Sequence, residues 1–248
     1  MNLLLFSFAT VIVFCTALYF FEKYFQTVKD KFSNESIGIY FNFTGVLYTL
    51  ILAFVVVAAW TDYDNAMVTV ESEAHKLLYI YEDAEELSPE NRSAVQKAVL
   101  NYTHSVIGEE WNEMDQGVMV KSTENKFHDL IVLKRILKPN GDDYVLNGID
   151  TSLDELKELR RSRLSYNESH VPNLLWTVLA GGYLLCVFFS FLVDFNSLTW
   201  KMIMTSIMVF TMSIVMYLTY CLSNPYKGDM EISSADYQKT LELIKKIK

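Results

Sequence analysis

Residues that could perform catalysis or hold a metal are scattered along this chain rather than grouped. The four histidines, at positions 75, 104, 128 and 170, lack metal-ligand spacing, and the three cysteines form no Cys-x-x-Cys pair. Adjacent acids such as Glu109-Glu110 point about 100° apart on a helix, so we expect them to be solvated rather than an acid–base pair. We therefore predict that the protein is not an enzyme and has no resident cofactor or metal.

A different chemistry is indicated by one face of an apolar stretch. Val46, Leu50 and Phe54 lie four residues apart and therefore share one face of a helix. If several copies of the chain brought this face to a common axis, its apolar rings could gate ions by dewetting. The alternative is that the same face packs against the first or the third apolar helix of its own chain.

Four apolar helices must position that face. Hydrophobic residues make up 51% of the chain and concentrate in uncharged runs. These runs are residues 3–21, 37–60, 171–193 and 202–222. Each is long enough to cross a hydrocarbon core about 30 Å thick. The first run lacks a basic leader and a small-x-small cleavage site, so we interpret it as a retained helix. Polar residues and a glycine at 42–45 suggest an irregular start to the second.

The segment between the second and third runs is predicted to be a polar helical domain. Residues 62–170 contain 22 acidic and 12 basic side chains, and the whole chain has a net charge of −9. This acidity argues against a surface that binds nucleic acid or anionic lipid. Ser88-Pro89-Glu90 indicates the start of a helix, and Thr151 with Asp154 indicates another.

The predicted fold is therefore an all-α membrane protein with four transmembrane helices and a helical insertion between the second and the third. We divide it into a first helix pair, an acidic helical domain, a second helix pair and a tail with a short amphipathic helix. The corresponding ranges are 1–60, 61–170, 171–222 and 223–248.

Charges near the helix ends favour a cytoplasmic position for the large domain and both termini. Arg160, Arg161 and Arg163 precede the third run, as the positive-inside rule expects of cytoplasmic flanks. The lysines that follow the first run argue for the opposite orientation. The expected location is a multi-pass membrane protein with its acidic domain in the cytoplasm.

Several short motifs in this order resemble bestrophins. Leu52-Ala53-Phe54 and the stretch 58–66 resemble the bestrophin pore segment and the aromatic-rich stretch that follows it. Asn224-Pro225-Tyr226-Lys227-Gly228 resembles the bestrophin Asn-Pro-Phe-Gly segment. The similarity is closer to the uncharacterised bestrophin-like family, through Glu73-Ala74 and Glu110-Trp111.

This resemblance implies cytoplasmic termini, a cytoplasmic helical domain and a ring oligomer around a central ion pore, which is a pentamer in bestrophins. By position, Val46, Leu50 and Phe54 match the apolar neck of such a pore. The helix continuation would form a candidate vestibule, at Trp60, Asp62, Tyr63 and Asp64. The C-terminal turn that matches the family comprises Asn224, Pro225, Tyr226, Gly228, Asp229 and Glu231.

The sequence also departs from the bestrophin pattern. Ala53 stands where the pore segment has glycine, and Asp62 and Asn65 stand where the aromatic-rich stretch has arginine and glutamate, so its ion pairing is lost. The long acidic cluster of the animal calcium clasp is missing, so calcium activation is not expected. The acidic middle domain favours cation or weak selectivity over anion selectivity.

Two functional hypotheses follow from the sequence. The first is an oligomeric ion channel whose partners are the lipid bilayer, ions and further copies of itself. The second is a membrane-anchored interaction or sensor protein without conductance, which uses its acidic domain as a docking surface. A monomeric or dimeric assembly would favour the second hypothesis.

Overall fold

The computed structural model describes residues 3–24, 33–114, 120–137, 143–167, 171–195 and 197–247. Within these ranges the regular secondary structure is entirely helical. The chain divides into two compact units. The membrane unit comprises Met1–Asp62 and Ser169–Ser223, and the polar unit comprises Tyr63–Glu168 and Asn224–Lys248.

The membrane unit contains the four predicted apolar helices. They are α1 (Leu3–Tyr24), the first part of α2, α7 (Asn173–Leu192) and α8 (Leu198–Leu222). The whole of α2 extends over Asn34–Asp83 and continues into the polar unit. All four have the length and hydropathy needed to cross a membrane, which confirms the prediction. The irregular start expected for the second run is wrong, because residues 42–45 lie inside α2. A continuous helix pairs every backbone group internally, as hydrocarbon requires.

Small polar groups join the helices of the membrane unit. The Ser213 hydroxyl on α8 lies 2.8 Å from the Thr10 hydroxyl on α1 and 3.0 Å from the Tyr183 hydroxyl on α7. An apolar cluster of Leu18, Val187 and Val209 packs nearby on the same three helices. Interhelical hydrogen bonds and close packing are the interactions that hold helices together in lipid.

A charged pair lies at the ends of α1 and α8. Lys201 is 2% exposed, forms an ion pair with Glu22 and donates a hydrogen bond to the Phe191 carbonyl at 2.6 Å. Both helices extend beyond the uncharged runs predicted from the sequence, and so they include these two residues. A buried ammonium needs such partners because an unpaired one is costly to desolvate.

Within the described ranges, the polar unit is built from five further α-helices and the second part of α2. They are α3 (Pro89–Ser105), α4 (Trp111–Met114), α5 (Lys121–Ile136), α6 (Asp143–Ser165) and α9 (Ala235–Ile247). A π-helical turn, Val106–Glu110, joins α3 to α4. Ser88 is the N-cap of α3 and Pro89 its first residue, as predicted. The prediction that a helix starts at Thr151 is wrong, because Thr151 lies inside α6. Its hydroxyl donates a hydrogen bond to the Asn147 carbonyl one turn earlier in the same helix.

One core fills the polar unit. The α2 face that enters it carries Ala66, Val70, Ala74, Leu77 and Ile80, all of them fully buried. Because they recur every three or four residues, they form an apolar stripe along one side of the helix. The opposite side of α2 stays outside this core.

We predict that Gly182 is needed for the packing of α2 against α7. A Cβ atom at Gly182 would lie 2.4 Å from Cδ2 of the Tyr48 ring, whereas one at Gly181 would meet nothing within 4 Å. Gly182→Ala should therefore destabilise the membrane unit by about 1 to 3 kcal/mol through overpacking. Gly181→Ala is the matched control. Thermal unfolding in detergent measures both, and equal midpoints would contradict the packing argument.

Candidate functional site

The face of α2 that carries Val46, Leu50 and Phe54 is exposed within the membrane unit. Their side chains are 61%, 52% and 69% exposed. The residues of this helix that pack inward are instead Tyr48, Leu52, Val55 and Ala59. The three predicted neck residues therefore lie together on a surface that the chain's own helices leave uncovered, contrary to the alternative in which they pack against the first or third helix.

An open groove, lined by both small and large side chains, runs along this part of α2. The groove has a volume of about 630 Å³. It is lined by Gly38, Phe41, Asn42, Gly45, Val46, Thr49, Leu50 and Ala53. The Thr49 hydroxyl donates to the Gly45 carbonyl at 2.8 Å, so it is satisfied within the helix. Asn42 adds an exposed amide to this otherwise apolar surface.

The four residues of the candidate vestibule differ in their environments. Trp60 is 55% exposed and Asp64 is exposed, whereas Asp62 and Tyr63 are half-buried. The Tyr63 hydroxyl donates to the Met230 carbonyl at 3.0 Å within the polar unit, and burial raises the pKa of this tyrosine. Tyr63 thus fixes the C-terminal segment to α2, while Asp64 faces solvent in the isolated chain.

The C-terminal turn is a compact structure with a buried side and an exposed side. Tyr226 is buried, and its ring lies 5.8 Å from the ring of Trp111. The Pro225 carbonyl accepts a hydrogen bond from the Ile232 amide at 2.9 Å. Gly228 has a φ of 82°, a conformation that favours glycine. The remaining predicted residues of this turn are half-buried Asn224 and exposed Asp229 and Glu231.

A buried ionic cluster, formed by Glu73, Glu110, Arg160 and Arg163, lies in the core of the polar unit. Arg163 is fully buried, and its Nε donates to Glu73 Oε2 at 2.7 Å. Its Nη2 lies 3.4 Å from Glu110 Oε1, which also accepts from Arg160 at 3.2 Å. Two buried carboxylates thus face two buried guanidiniums, which offsets the cost of removing each charge from water.

Aromatic rings enclose the buried ionic cluster. The Arg163 guanidinium lies 5.7 Å from the Trp111 ring and 5.9 Å from the Tyr237 ring. The Tyr102 hydroxyl donates to Glu73 at 2.6 Å, and burial, followed by the charge of Glu73, raises the pKa of Tyr102 well above its ordinary value. Burial alone would lower the pKa of Arg163, but Glu73 and other nearby groups raise it overall, so the guanidinium remains charged.

Two adjacent acids at the end of the π-helical turn, Glu109 and Glu110, differ in their environments. Adjacent residues of a helix point in directions about 100° apart, so one can face the core while the other faces solvent. Glu110 is 1% exposed and joins the buried ionic cluster, whereas Glu109 lies at the surface and pairs with Lys126 at 3.0 Å. The prediction that both acids are solvated is therefore wrong for Glu110.

Sequence reasoning missed this cluster although a signal for it was present. Glu73 occupies a position in the buried stripe of α2, beside Ala74, where an apolar residue is the default. On α6 the buried series Ile149, Leu153 and Leu156 continues with Arg160 and Arg163 at the same spacing. Opposite charges placed at apolar positions of two stripes predict a buried pair, since neither charge could be buried alone.

Among the described residues, no three His, Cys, Asp or Glu side chains lie close enough together to bind a metal ion.

Comparison with known proteins places these features in a family. The model of the bestrophin-like domain matches residues 7–237. A crystal structure of a bacterial bestrophin homologue from Klebsiella pneumoniae is similar with a TM-score of 0.72 at 12% identity, covering 95% of each chain. The crystal structure of a variant of that homologue with one substitution is similar with a TM-score of 0.70 at 12% identity, and the match covers 98% of this chain and 99% of the other. No curated protein matches.

The fold is thus that of an all-helical, bestrophin-like membrane protein. Because the family model covers nearly the whole chain, the protein belongs to the bestrophin-like family. The bestrophin-like fold suggests a family of ion channels rather than a family of enzymes. At 12% identity the crystal structures establish the similarity of the fold, and the roles of individual residues have to be argued from their own geometry.

We predict that Arg163 is the most sensitive member of the buried ionic cluster. Arg163→Met leaves Glu73 buried without its charge partner, so the free energy of unfolding should fall by about 3 to 5 kcal/mol. Arg161→Met is the matched control, because Arg161 is 83% exposed and lies 3.9 Å from Glu158. That control should change the free energy of unfolding by about 0.5 kcal/mol or less.

Denaturant unfolding of the purified protein in detergent measures these changes. Glu73→Gln combined with Arg163→Met should recover part of the loss, because the double variant no longer buries the unpaired Glu73 carboxylate. Equal losses for the Arg161 and Arg163 variants would mean that the cluster does not stabilise the polar unit.

Proposed function

We propose that the protein is an oligomeric, bestrophin-like ion channel with a hydrophobic neck formed by Val46, Leu50 and Phe54. The observation that carries this proposal is the exposure of all three apolar side chains on one face of a membrane-spanning helix. In a ring of copies, each residue would contribute one apolar ring to the pathway. Narrow apolar rings exclude water and ions until they widen, which is how a hydrophobic constriction gates a channel.

The composition of the neighbouring surface supports a pathway rather than contact with lipid alone. The exposed amide of Asn42 lies in the same groove as Val46 and Leu50. Hydrocarbon cannot hydrogen-bond an amide, so facing lipid would be unfavourable for Asn42. Water in a pathway, or a neighbouring copy, would satisfy it. The pentameric state is proposed from the family resemblance.

The arrangement in the membrane is part of the same proposal. The acidic helical domain, residues 61–170, would be an insertion between the two helix pairs and would lie in the cytoplasm with both termini. The tail would fasten to this domain through its turn, where buried Pro225 and Tyr226 serve as the anchor and exposed Asp229 and Glu231 face outward. The hydrogen bond from Tyr63 to the Met230 carbonyl supports this role.

Cation or weak selectivity is proposed over anion selectivity. Exposed Asp64 and half-buried Asp62 follow Trp60 on α2 and would form the vestibule beyond the neck. Carboxylates that line a confined space raise the local concentration of cations and lower that of anions. Calcium activation is not part of the proposal, because the long acidic cluster of the calcium clasp is missing from the sequence.

The neck is tested by substituting its residues one at a time. Phe54→Ala and Leu50→Ala should each widen or wet the constriction and raise the current at rest. Ile51→Ala is the matched control, since Ile51 follows Leu50 directly but points about 100° away on the helix. Single-channel recording of purified protein in planar bilayers, under an asymmetric salt gradient, measures the current and the reversal potential.

The outcome separates the two functional hypotheses. Currents that change with Phe54→Ala or Leu50→Ala but not with Ile51→Ala support a pore lined by α2. Currents that are equal in all variants would locate the constriction elsewhere. No current from folded and inserted protein would reject the channel and favour a membrane-anchored interaction or sensor protein.

A further inference from the structure

A partly open cavity of the membrane unit lies between α2, α7 and α8. Its volume is about 290 Å³. Small-molecule pockets in proteins begin at about 300 Å³, so the cavity has room for one small ligand. Its wall is mostly apolar and includes two methionines, whose flexible side chains adapt to different shapes. The apolar wall residues are Phe41, Leu52, Met208, Met212 and Val215.

Tyr48 places a hydroxyl at the wall of this cavity. Its side chain is 5% exposed, and its ring packs directly on Gly182 of α7, which fixes the ring in place. The hydroxyl lies close enough to the Cys186 thiol for the two groups to interact electrostatically, and both residues line the cavity. Among the described residues, the Tyr48 hydroxyl has no hydrogen-bond partner. A buried hydroxyl is unfavourable until it finds an acceptor.

The other polar groups of the wall do not compete for an occupant. The Thr49 and Thr211 hydroxyls donate to carbonyls one turn earlier in their own helices, at 2.8 Å and 2.9 Å. The Cys186 thiol is only a weak donor. A buried water molecule needs at least two polar partners, so this wall would hold water poorly. Tyr48 therefore offers one strong donor in apolar surroundings.

The depth of Tyr48 in the membrane restricts what can accept its hydrogen bond. Tyr48 lies at the middle of the uncharged run 37–60. At the rise of an α-helix, this position is roughly 17 Å from each end of the run. Because the hydrocarbon core is about 30 Å thick, the head groups of lipids lie near those ends and not beside Tyr48. Acyl chains reach this depth but have no acceptor for the hydroxyl.

We propose that this cavity binds an uncharged lipophilic molecule whose carbonyl oxygen accepts a hydrogen bond from Tyr48. The apolar wall would enclose the body of the ligand, and the hydroxyl would orient it. Charged side chains are absent from the described wall, so an ionised ligand would not be compensated there. The inference concerns the membrane unit alone and does not rest on the channel proposal.

Benzophenone, an uncharged lipophilic ketone, is the probe for this site. When illuminated, its carbonyl carbon forms a bond to a C–H group that it contacts, so mass spectrometry locates it on the reconstituted protein. We expect labelling at Met208 and Met212. Tyr48→Phe should reduce this labelling roughly two- to ten-fold, the range expected for one hydrogen bond. Tyr40→Phe is the matched control, because Tyr40 is 63% exposed on the same helix and does not line the cavity.

Two further measurements separate the hydrogen bond from shape and from folding. Excess dicyclohexylmethanone should suppress the labelling more strongly than dicyclohexylmethane, which has nearly the same shape but no carbonyl. Without any probe, Tyr48→Phe should keep the thermal midpoint and the oligomeric state of the wild type, because it removes a hydroxyl that has no partner.

The outcomes decide the inference. Labelling at the two methionines that falls with Tyr48→Phe but not with Tyr40→Phe supports it. Equal labelling in both variants, or equal competition by ketone and hydrocarbon, would show an apolar cavity without a specific acceptor and would overturn it. Absence of labelling at Met208 and Met212 in folded protein overturns it as well. A weaker oligomer in Tyr48→Phe would mean that a neighbouring copy accepts the hydrogen bond, which also rejects a ligand.

Discussion

The polar unit depends on the pairing of Arg163 with Glu73. A guanidinium that is fully removed from water is tolerated only when carboxylates and aromatic rings replace its hydration. Meeting that requirement brings together segments that are far apart in the sequence, since Glu73 lies 90 residues before Arg163 and Tyr237 lies near the C-terminus. The cluster therefore specifies one arrangement of helices, because an alternative packing would leave at least one buried charge unpaired.

Much of the fold could be predicted from the sequence because its signals are local. The four apolar runs, the capping pattern at Ser88-Pro89 and the amphipathic pattern after residue 235 all depend on neighbouring residues. The false helix start at Thr151 shows the limit of such signals. A capping pattern predicts a helix start only where the preceding residues are not already helical, and here α6 begins at Asp143.

The candidate site was less accessible to sequence reasoning because it depends on contacts and on assembly. The buried ionic cluster joins residues that are far apart in the sequence, such as Glu73 and Arg163, so no local pattern shows which charges pair. The neck residues were identified by their spacing and by family resemblance. These side chains are exposed, as residues that line a neck would be in a single chain. A ring of apolar residues forms only when several copies assemble, so one chain shows no more than an uncovered apolar face.

The pair formed by Lys201 and Glu22 has a consequence for biogenesis. These residues are separated by 179 positions, so the first membrane helix is synthesised long before the lysine that neutralises its terminal glutamate. The polar unit, except for its tail, emerges from the ribosome in between. Insertion of the last helix hairpin must therefore complete an ion pair with a helix already resident in the bilayer. Assembly of the membrane unit is thus delayed until most of the chain has been translated.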